Sequence, residues 1–357
     1  MSEPKDPLAG VFSADWLMEQ EFPPIEFVLP GIIPQGMSFL VASPKIGKSW
    51  FVLGVAVACA SGGIALGALQ VDPRPVLYLA LEDGKQRLQS RLASIGVTEP
   101  PADLFFVVDA QIAHPLEVVR AFIAKHADAA PLVILDTLGK VMPPANQGES
   151  SYERDYRVAG VLKAAADSAP GSAVVVVHHT RKAGAEDFLD TLSGTQGLAG
   201  AANTILAIKR ERNSPTATLH VTSRDTAEGE YQMRLEDDGR WQLDGDSLAD
   251  AARNAQTSRQ TAGLGDRSAD IVRKLDEYPE GISPRDLAIA MGMDADQTRV
   301  YLQRLNAANR VQKLARGKYA PLYIPPVSSV SSVTETDSDE RNKATEETGT
   351  QPERSTE

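Results

Sequence analysis

From about residue 37 onward, short apolar runs alternate with stretches of helical periodicity. The runs MSFLVA, VLYLAL, LFFVV, LVILD and AVVVVHH are continuous and apolar, as is typical of strands buried on both faces of a parallel sheet. Three helical stretches are predicted. The first begins at Gly47, the second passes through Leu88 and Leu92 and ends at Gly96, and the third covers about residues 155–168. This alternation predicts an α/β fold with a mostly parallel sheet flanked by helices.

Three further runs, NTILAIKR, ATLHVTSR and YQMRLED, follow one another without a helix between them. The last two or three alternate apolar and polar positions, unlike the continuous runs before them. We therefore expect antiparallel strands that close one edge of the sheet.

The same patterning divides the chain into five segments. Residues 1–35 are rich in proline with scattered apolar positions, and predict an arm that packs on the core. The alternating runs occupy residues 36–247, and residues 248–267 have the polar composition of a linker. A compact module is predicted at residues 268–325. Residues 326–357 form an acidic tail with almost no large apolar side chain, which predicts disorder because such a tail cannot bury enough surface.

Composition narrows the class of protein. The 357 residues are 42% hydrophobic and carry a formal net charge of -12, which argues against a protein that coats nucleic acid over its whole surface. The single cysteine, Cys59, lies in the apolar run FVLGVAVACA, so a buried packing role is expected and no internal disulfide is possible. We find no signal peptide and no apolar stretch of about 18 residues, so a cytoplasmic protein without a membrane partner is expected.

A phosphate-binding loop lies between the first apolar strand and the helix that follows it. Residues 42–49 read ASPKIGKS, which is the pattern G-x-x-x-x-G-K-[ST] with Ala42 in the first position. Backbone N–H groups at such a helix start hold an anion, Lys48 neutralises the β- and γ-phosphates, and Ser49 offers a hydroxyl to Mg²⁺. The motif predicts ATP and Mg²⁺ as ligands. The predicted ATP-binding residues are Ala42, Ser43, Pro44, Lys45, Ile46, Gly47, Lys48, Ser49 and Trp50.

Two other predicted strands end in carboxylates. Asp136 ends LVILD and, together with an upstream phosphate loop, is predicted to hold Mg²⁺ with Ser49. Glu82 follows VLYLAL, and ligands of open α/β sheets bind at the carboxyl ends of strands, so Glu82 is placed to polarise the attacking water as a general base. The alternative is that Glu82 or Asp83 only caps the next helix, and Asp83 suits that role better.

These motifs in this order resemble the RecA superfamily. Within it, residues 25–245 are similar to RepA-type and DnaB-like hexameric replicative helicases, AAA family ATPases of plasmids and phages, through the strings LYLALEDGKQRLQSRL, VILDTLGK, VVVVHHTRK and LSGTQGLAGAANTILAIKR. The resemblance implies that His179, with His178, senses the γ-phosphate, whereas a polar strand end facing solvent is the alternative. It also implies that residues 142–155 and 180–197 line a central pore, where Arg181 and Lys182 contact DNA or remain solvated loop charges.

Hexameric members of these families place an arginine from a neighbouring subunit, an arginine finger, on the γ-phosphate. The resemblance to DnaB-like proteins favours Arg224, although Thr222 stands where a lysine is expected. The resemblance to RepA-type proteins favours Arg210 or Arg212 instead. We place Arg224 first by a narrow margin.

The C-terminal module has the pattern of a winged helix-turn-helix. Ser283 and Pro284 begin one helix that Gly292 ends, and Asp294 or Asp296 caps a longer helix that two short strands follow. Residues 297–325 contain six basic residues and no acidic residue. We therefore expect a face that binds the phosphates of duplex DNA, although winged helices also dock proteins. The candidate DNA-binding residues are Arg299, Arg304, Lys313, Arg316 and Lys318.

The function expected from these features is an ATP-hydrolysing DNA helicase or translocase that acts in replication of a plasmid, phage or mobile element. Its expected partners are single-stranded DNA in the pore of a hexamer, duplex DNA at the winged helix, and a primase or replication initiator. Two alternatives remain: a regulatory DNA-binding ATPase without unwinding activity, and a RecA- or RadA-like recombinase.

Overall fold

The computed structural model describes residue 8 and residues 10–109, 114–179, 200–211 and 213–322. In this part of the chain the strands are β1 Phe27–Leu29, β2 Ile33–Pro34, β3 Gly36–Ala42, β4 Ile64–Ala65, β5 Leu69–Gln70, β6 Val76–Ala80, β7 Leu104–Val107, β8 Leu132–Asp136, β9 Ala173–His179, β10 Thr204–Arg210, β11 Thr216–Ser223, β12 Gly229–Leu235, β13 Trp241–Leu243, β14 Val311–Lys313 and β15 Tyr319–Pro321. The helices are α1 Ala14–Met18, α2 Lys48–Ser61, α3 Lys85–Ser94, α4 Pro115–Lys125, α5 Ser151–Ala166, α6 Leu248–Thr261, α7 Asp266–Leu275, α8 Pro284–Met291 and α9 Ala295–Ala307.

A nine-stranded sheet, in the order β13-β12-β11-β10-β3-β9-β8-β6-β7, forms the centre of the described structure. The strands from β10 to β7 in this order run parallel, whereas β11, β12 and β13 are antiparallel to their neighbours. The predicted α/β fold with a mostly parallel sheet is therefore confirmed, as are the antiparallel strands at one edge.

Helices cover both faces of this sheet because successive side chains of a strand point to opposite faces. In β3, Leu40 packs with α2 and α3 on one face, while Phe39 and Val41 pack with α4 and α5 on the other. The predicted buried position of Cys59 is confirmed, since it lies on α2 within the first of these two layers.

The arm predicted at residues 1–35 packs only in part. Residues 27–34 form the β1–β2 hairpin, in which Leu29 and Ile32 are fully buried. In contrast, α1 buries no residue, and Phe12 and Phe22 are exposed. Apolar positions in this short segment do not repeat often enough to give a face that packs on the core of this chain.

The segment 248–267, with the composition of a linker, is instead mostly helical. Helix α6 begins at the N-cap Ser247, whose side chain accepts a hydrogen bond from the N–H of Asp250. It packs on β12 and buries Ala251 and Ala255. Its buried residues are two alanines and Gln260, with no large apolar side chain among them, which is why its composition resembles that of a linker.

The C-terminal module contains three helices and the β14–β15 hairpin around a core of its own, which includes Leu275, Leu287 and Leu302. The predicted caps are confirmed, since Ser283 caps α8, Gly292 ends it in the left-handed conformation, and Asp294 caps α9. The predicted disordered tail at residues 326–357 lies outside the described residues.

Candidate nucleotide site

The carboxyl ends of four parallel strands meet at one edge of the sheet. Ala42 at the end of β3 pairs with His179 at the end of β9, and Asp136 at the end of β8 pairs with Ala80 of β6. Because β9 lies between β3 and β8, the phosphate loop and Asp136 extend from strands that are not direct neighbours. This register brings together Lys48, Asp136, Glu82 and His179, which sequence analysis identified separately.

The phosphate loop turns sharply between β3 and α2. Gly47 has a φ of +112° and Lys45 a φ of +66°, so both residues adopt left-handed conformations. The buried ammonium of Lys48 donates hydrogen bonds to the carbonyl oxygens of Ala42 at 2.7 Å and Ser43 at 3.0 Å. Burial lowers the pKa of Lys48 to about 8, although the carboxylates of Asp136 and Glu82 oppose this shift.

Asp136 is buried beside the start of α2. Its Oδ2 accepts a hydrogen bond from the hydroxyl of Tyr78 at 2.8 Å, and Ser49 also hydrogen-bonds to this carboxylate. Burial raises the pKa of Asp136, and the hydrogen bonds from Ser49 and Tyr78 partly offset that rise. A hydroxyl and a carboxylate in contact, next to a helix N-terminus and a buried ammonium, form a donor set that fits Mg²⁺ bound to a polyphosphate.

Glu82 lies at the open side of the same edge. One carboxylate oxygen accepts a hydrogen bond from the hydroxyl of Thr137 at 3.1 Å, and the other lies 3.5 Å from Nε2 of His179. Thr137 directly follows Asp136, so the side chain of Glu82 is tied to the strand that carries the buried carboxylate. His178 is half-buried and pairs with Val41 of β3.

Asp83 does not cap the helix after β6, so its expected cap role is wrong. Gly84 is the N-cap of α3 and makes no side-chain cap. The buried carboxylate of Asp83 instead pairs with Arg87 and Arg91 on that helix. The guanidinium carbon of Arg91 also lies 5.1 Å from the ring centre of Trp50. The contact between Arg91 and Trp50 therefore holds α3 against the start of α2.

The arginine finger candidates occupy different places. The guanidinium of Arg210, at the end of β10, donates a hydrogen bond to the carbonyl oxygen of Lys45 in its own phosphate loop at 3.4 Å. Arg224 follows β11, which runs antiparallel to β10, so it lies at the amino ends of the parallel strands, away from the phosphate loop. There it donates to the carbonyl oxygen of Gly200 at 3.2 Å. Arg212, Arg181 and Lys182 lie outside the described residues.

The candidate DNA-binding residues of the C-terminal module are all exposed, and lie on α9 or around the β14–β15 turn. They are Arg299, Arg304, Lys313, Arg316 and Lys318. Arg310, from the same basic stretch, faces α6 instead and donates to the carbonyl oxygens of Arg259 at 2.7 Å and Gln260 at 3.0 Å.

Sequence analysis did not identify three residues that contact the site. They are Tyr78 on Asp136, Thr137 on Glu82, and Trp241, whose indole Nε1 donates to the carbonyl oxygen of Gly47 at 3.0 Å. Thr137 directly follows the strand that Asp136 ends, so its position carried a signal, whereas Tyr78 lies in the middle of β6 and its contact is 58 residues away in sequence. Trp241 is 194 residues from its partner, and no local pattern indicates that contact.

A phosphate loop at this edge, with a buried carboxylate and a second acid within reach, is the arrangement of a P-loop ATPase. A family model described as an AAA domain, AAA_25, matches residues 3–185. That is just over half of the 357 residues, and the chain belongs to this family.

Three solved structures resemble the chain at low identity. A DnaB-like replicative helicase, from a study of its interactions with primase, is 15% identical over 58% of this chain and 57% of its own, with a TM-score of 0.46. A KaiC-like protein from Pyrococcus horikoshii OT3 is 13% identical over 61% of this chain and 94% of its own, with a TM-score of 0.42. The RadB recombinase is 14% identical over 60% of this chain and 91% of its own, with a TM-score of 0.42. The chain thus spans a little over half the length of the DnaB-like helicase.

No helix in the described ranges is long and apolar enough to cross a membrane.

Proposed function

We propose that this chain is an ATP-dependent DNA helicase or translocase of RepA type that works as a ring, with a hexamer as the expected assembly. The observation that carries the proposal is the group formed by Lys48, Asp136, Glu82 and His179 at one sheet edge, because it supplies the parts of a hydrolytic site from a single chain. The biological setting we propose is replication of a plasmid, phage or mobile element, with a primase or initiator as partner.

Phosphate binding depends on the loop and on Lys48. The N–H groups at the start of α2 favour an anion, and the loop wraps it. The ammonium of Lys48 now bonds the carbonyl oxygens of Ala42 and Ser43, and it exchanges these for β- and γ-phosphate oxygens when ATP binds. Ser49 and Asp136 would hold Mg²⁺, which would neutralise negative charge on the phosphate groups.

Glu82 is the proposed general base. Thr137 holds one of its carboxylate oxygens, which leaves the other to orient and polarise the attacking water. His179 lies beside that second oxygen, so a change at the γ-phosphate can pass from Glu82 to the end of β9 and into the segment after it. Replacement Glu82→Gln should abolish turnover while ATP binding remains, because the amide keeps the shape but cannot accept the proton.

The arginine finger is proposed to come from a neighbouring subunit, with Arg224 as our first candidate. Arg224 lies at the amino ends of the parallel strands, whereas its own phosphate loop lies at their carboxyl ends. It can therefore serve only a site on another chain. An Arg224→Ala protein that still assembles should lose most of its ATPase activity, by a factor of about 10³ or more. Wild-type turnover in that assembled variant would exclude this residue.

We further propose that residues 266–322 form a winged helix that binds duplex DNA. The support is the order of three helices followed by a hairpin, and the exposed basic side chains on α9 and at the hairpin turn. Each phosphate contact that is removed should lower the salt dependence of binding by roughly one counterion. Arg304→Ala and Lys318→Ala should each do so, whereas Arg273→Ala on α7, paired with Asp270, is the matched control.

A regulatory ATPase that binds one duplex without unwinding is the second candidate, and the same exposed basic module favours it. One experiment separates the two functions: unwinding of a forked substrate in Mg-ATP, with the mass of the assembly measured in the same buffer. Closed rings with unwinding that Lys48→Ala abolishes would support the helicase. A sequence-specific shift of duplex DNA without unwinding would support the regulator, and filaments whose length follows the DNA would indicate a recombinase.

A further inference from the structure

The outer side of the phosphate loop is held by two residues from distant parts of the sheet. Trp241 of β13 is buried, and its indole N–H donates to the carbonyl oxygen of Gly47 at 3.0 Å. The indole ring also packs against the α-carbon of Gly47, since a β-carbon there would lie 3.1 Å from the ring. The same carbonyl oxygen of Gly47 accepts the first hydrogen bond of α2, from the N–H of Phe51 at 3.0 Å, so the indole adds a second donor to an oxygen that the helix also holds.

Arg210 of β10 supports the same arrangement. One guanidinium nitrogen donates to the carbonyl oxygen of Lys45 at 3.4 Å, and another donates to the carbonyl oxygen of Ser214 at 3.3 Å. The guanidinium also lies 6.0 Å from the ring centre of Trp241. Because the bond to Lys45 is long, we assign the main role to Trp241 and a supporting role to Arg210.

The geometry of the peptide bond explains what these contacts do. A trans peptide is planar, and its C=O and the N–H of the next residue point in opposite directions. Neither of the two peptides concerned is cis. Trp241 and the N–H of Phe51 together hold the carbonyl of Gly47 towards α2, so the N–H of Lys48 points the other way, inward to the loop. Arg210 holds the carbonyl of Lys45 outward, so the N–H of Ile46 points inward. Inward N–H groups of this loop are the donors for a bound phosphate.

We propose that Trp241 and Arg210 are positioning residues that set the phosphate loop in its binding conformation before the nucleotide arrives. The proposal rests on the ATPase function above and names residues that keep its phosphate site ready. Donors that are fixed in advance lose less freedom when the ligand binds. Arg210 consequently acts on its own chain, which leaves Arg224 as the better finger candidate of the two.

The test compares variants that keep or remove each donor. Trp241→Phe keeps an aromatic ring but removes the N–H, and Trp241→Leu removes both. Arg210→Lys keeps one donor, whereas Arg210→Met keeps none. Trp16→Phe on the exposed helix α1 and Arg234→Met at an exposed position of β12 are the matched controls. Anisotropy of mant-ADP in EDTA reports the loop without Mg²⁺, and thermal unfolding without nucleotide reports the fold.

Loss of one hydrogen bond should weaken mant-ADP binding roughly threefold to tenfold in Trp241→Phe. The mant-ADP affinity of Arg210→Lys should lie between those of wild type and Arg210→Met. In all these variants KM for ATP should rise more than kcat falls, because the donors act on bound substrate and transition state alike. Trp241→Phe truncates a buried ring, so its melting temperature should fall by a few degrees, but the protein should remain folded at the temperature of the binding measurement.

Two results would overturn the proposal in different ways. If Trp241→Phe and Arg210→Met bind mant-ADP as tightly as the two control variants, the residues do not position the loop. If mant-ADP binding weakens only in variants that are partly unfolded at the temperature of the binding measurement, the residues support the fold and not the loop. Failure of the wild-type protein itself to bind mant-ADP would contradict the ATPase function, and the positioning role with it.

Discussion

The hydroxyl of Tyr78 offers a direct measure of how the core supports Asp136. The side chain is fully buried on the face of the sheet that α2 and α3 cover, and it donates to Oδ2 of Asp136 at 2.8 Å, while its ring packs against Phe106 with centres 5.8 Å apart. Replacement Tyr78→Phe removes only the hydroxyl, so the ring contacts remain and no large cavity forms. A hydrogen bond to a charged group contributes about 1.5–3 kcal/mol, and we expect the free energy of unfolding to fall by that amount.

Urea unfolding followed by far-UV circular dichroism measures this change. With a slope of about 2 kcal/mol per molar urea, the midpoint should fall by about 0.7–1.5 M while the slope stays constant. Tyr152→Phe is the matched control because Tyr152 is 55% exposed on α5, and its midpoint should change little. Equal midpoints for the two variants would show that the hydroxyl of Tyr78 does not stabilise the buried carboxylate.

Three further predictions concern other parts of the chain. Lys48→Ala should abolish ATP turnover, and full ATPase activity in this variant would contradict the assigned phosphate site. Burial raises the pKa of the Cys59 thiol from 9.0 to about 12, so Ellman's reagent at pH 8 should label this thiol only in urea. The free energy of unfolding should fall as pH rises from about 9 towards 12, because the thiol ionises first in the unfolded chain. Rapid labelling of the native protein would contradict this burial. Arg310→Ala removes hydrogen bonds to the end of α6, so amide exchange at residues 257–262 should accelerate. Arg304→Ala, at an exposed position of α9, should leave this exchange unchanged.

Local patterns predicted the elements that carry the chemistry. Each of these elements is specified by a few consecutive residues. They are the apolar run before Ala42, the glycine and lysine of the phosphate loop, and the apolar run that ends at Asp136. Hydrophobic periodicity specifies such elements because burial of a strand or helix face is a local property. The caps Ser283 and Asp294 were predictable for the same reason, since a cap bonds backbone groups two or three residues away.

The contacts that tune the site could not be predicted in this way. Tyr78 and Asp136 are 58 residues apart, and Trp241 and Gly47 are 194 apart. These contacts depend on strand order, which a single sequence does not specify. Helix α6 was missed for another reason, because alanines such as Ala251 bury too little apolar surface to give a periodic signal.

The two glycine positions of the phosphate-loop motif, which Ala42 and Gly47 occupy, place different demands on the residue. Ala42, where the motif has glycine, ends β3 with backbone that is not left-handed, and its carbonyl oxygen receives the ammonium of Lys48. A methyl group is tolerated there because the role falls on the backbone oxygen. Gly47 has a φ of +112° with the Trp241 ring where a β-carbon would be, so a side chain would meet both backbone strain and the indole. We therefore expect phosphate binding to tolerate Ala42, because the backbone conformation and the contact that favour glycine lie at residue 47.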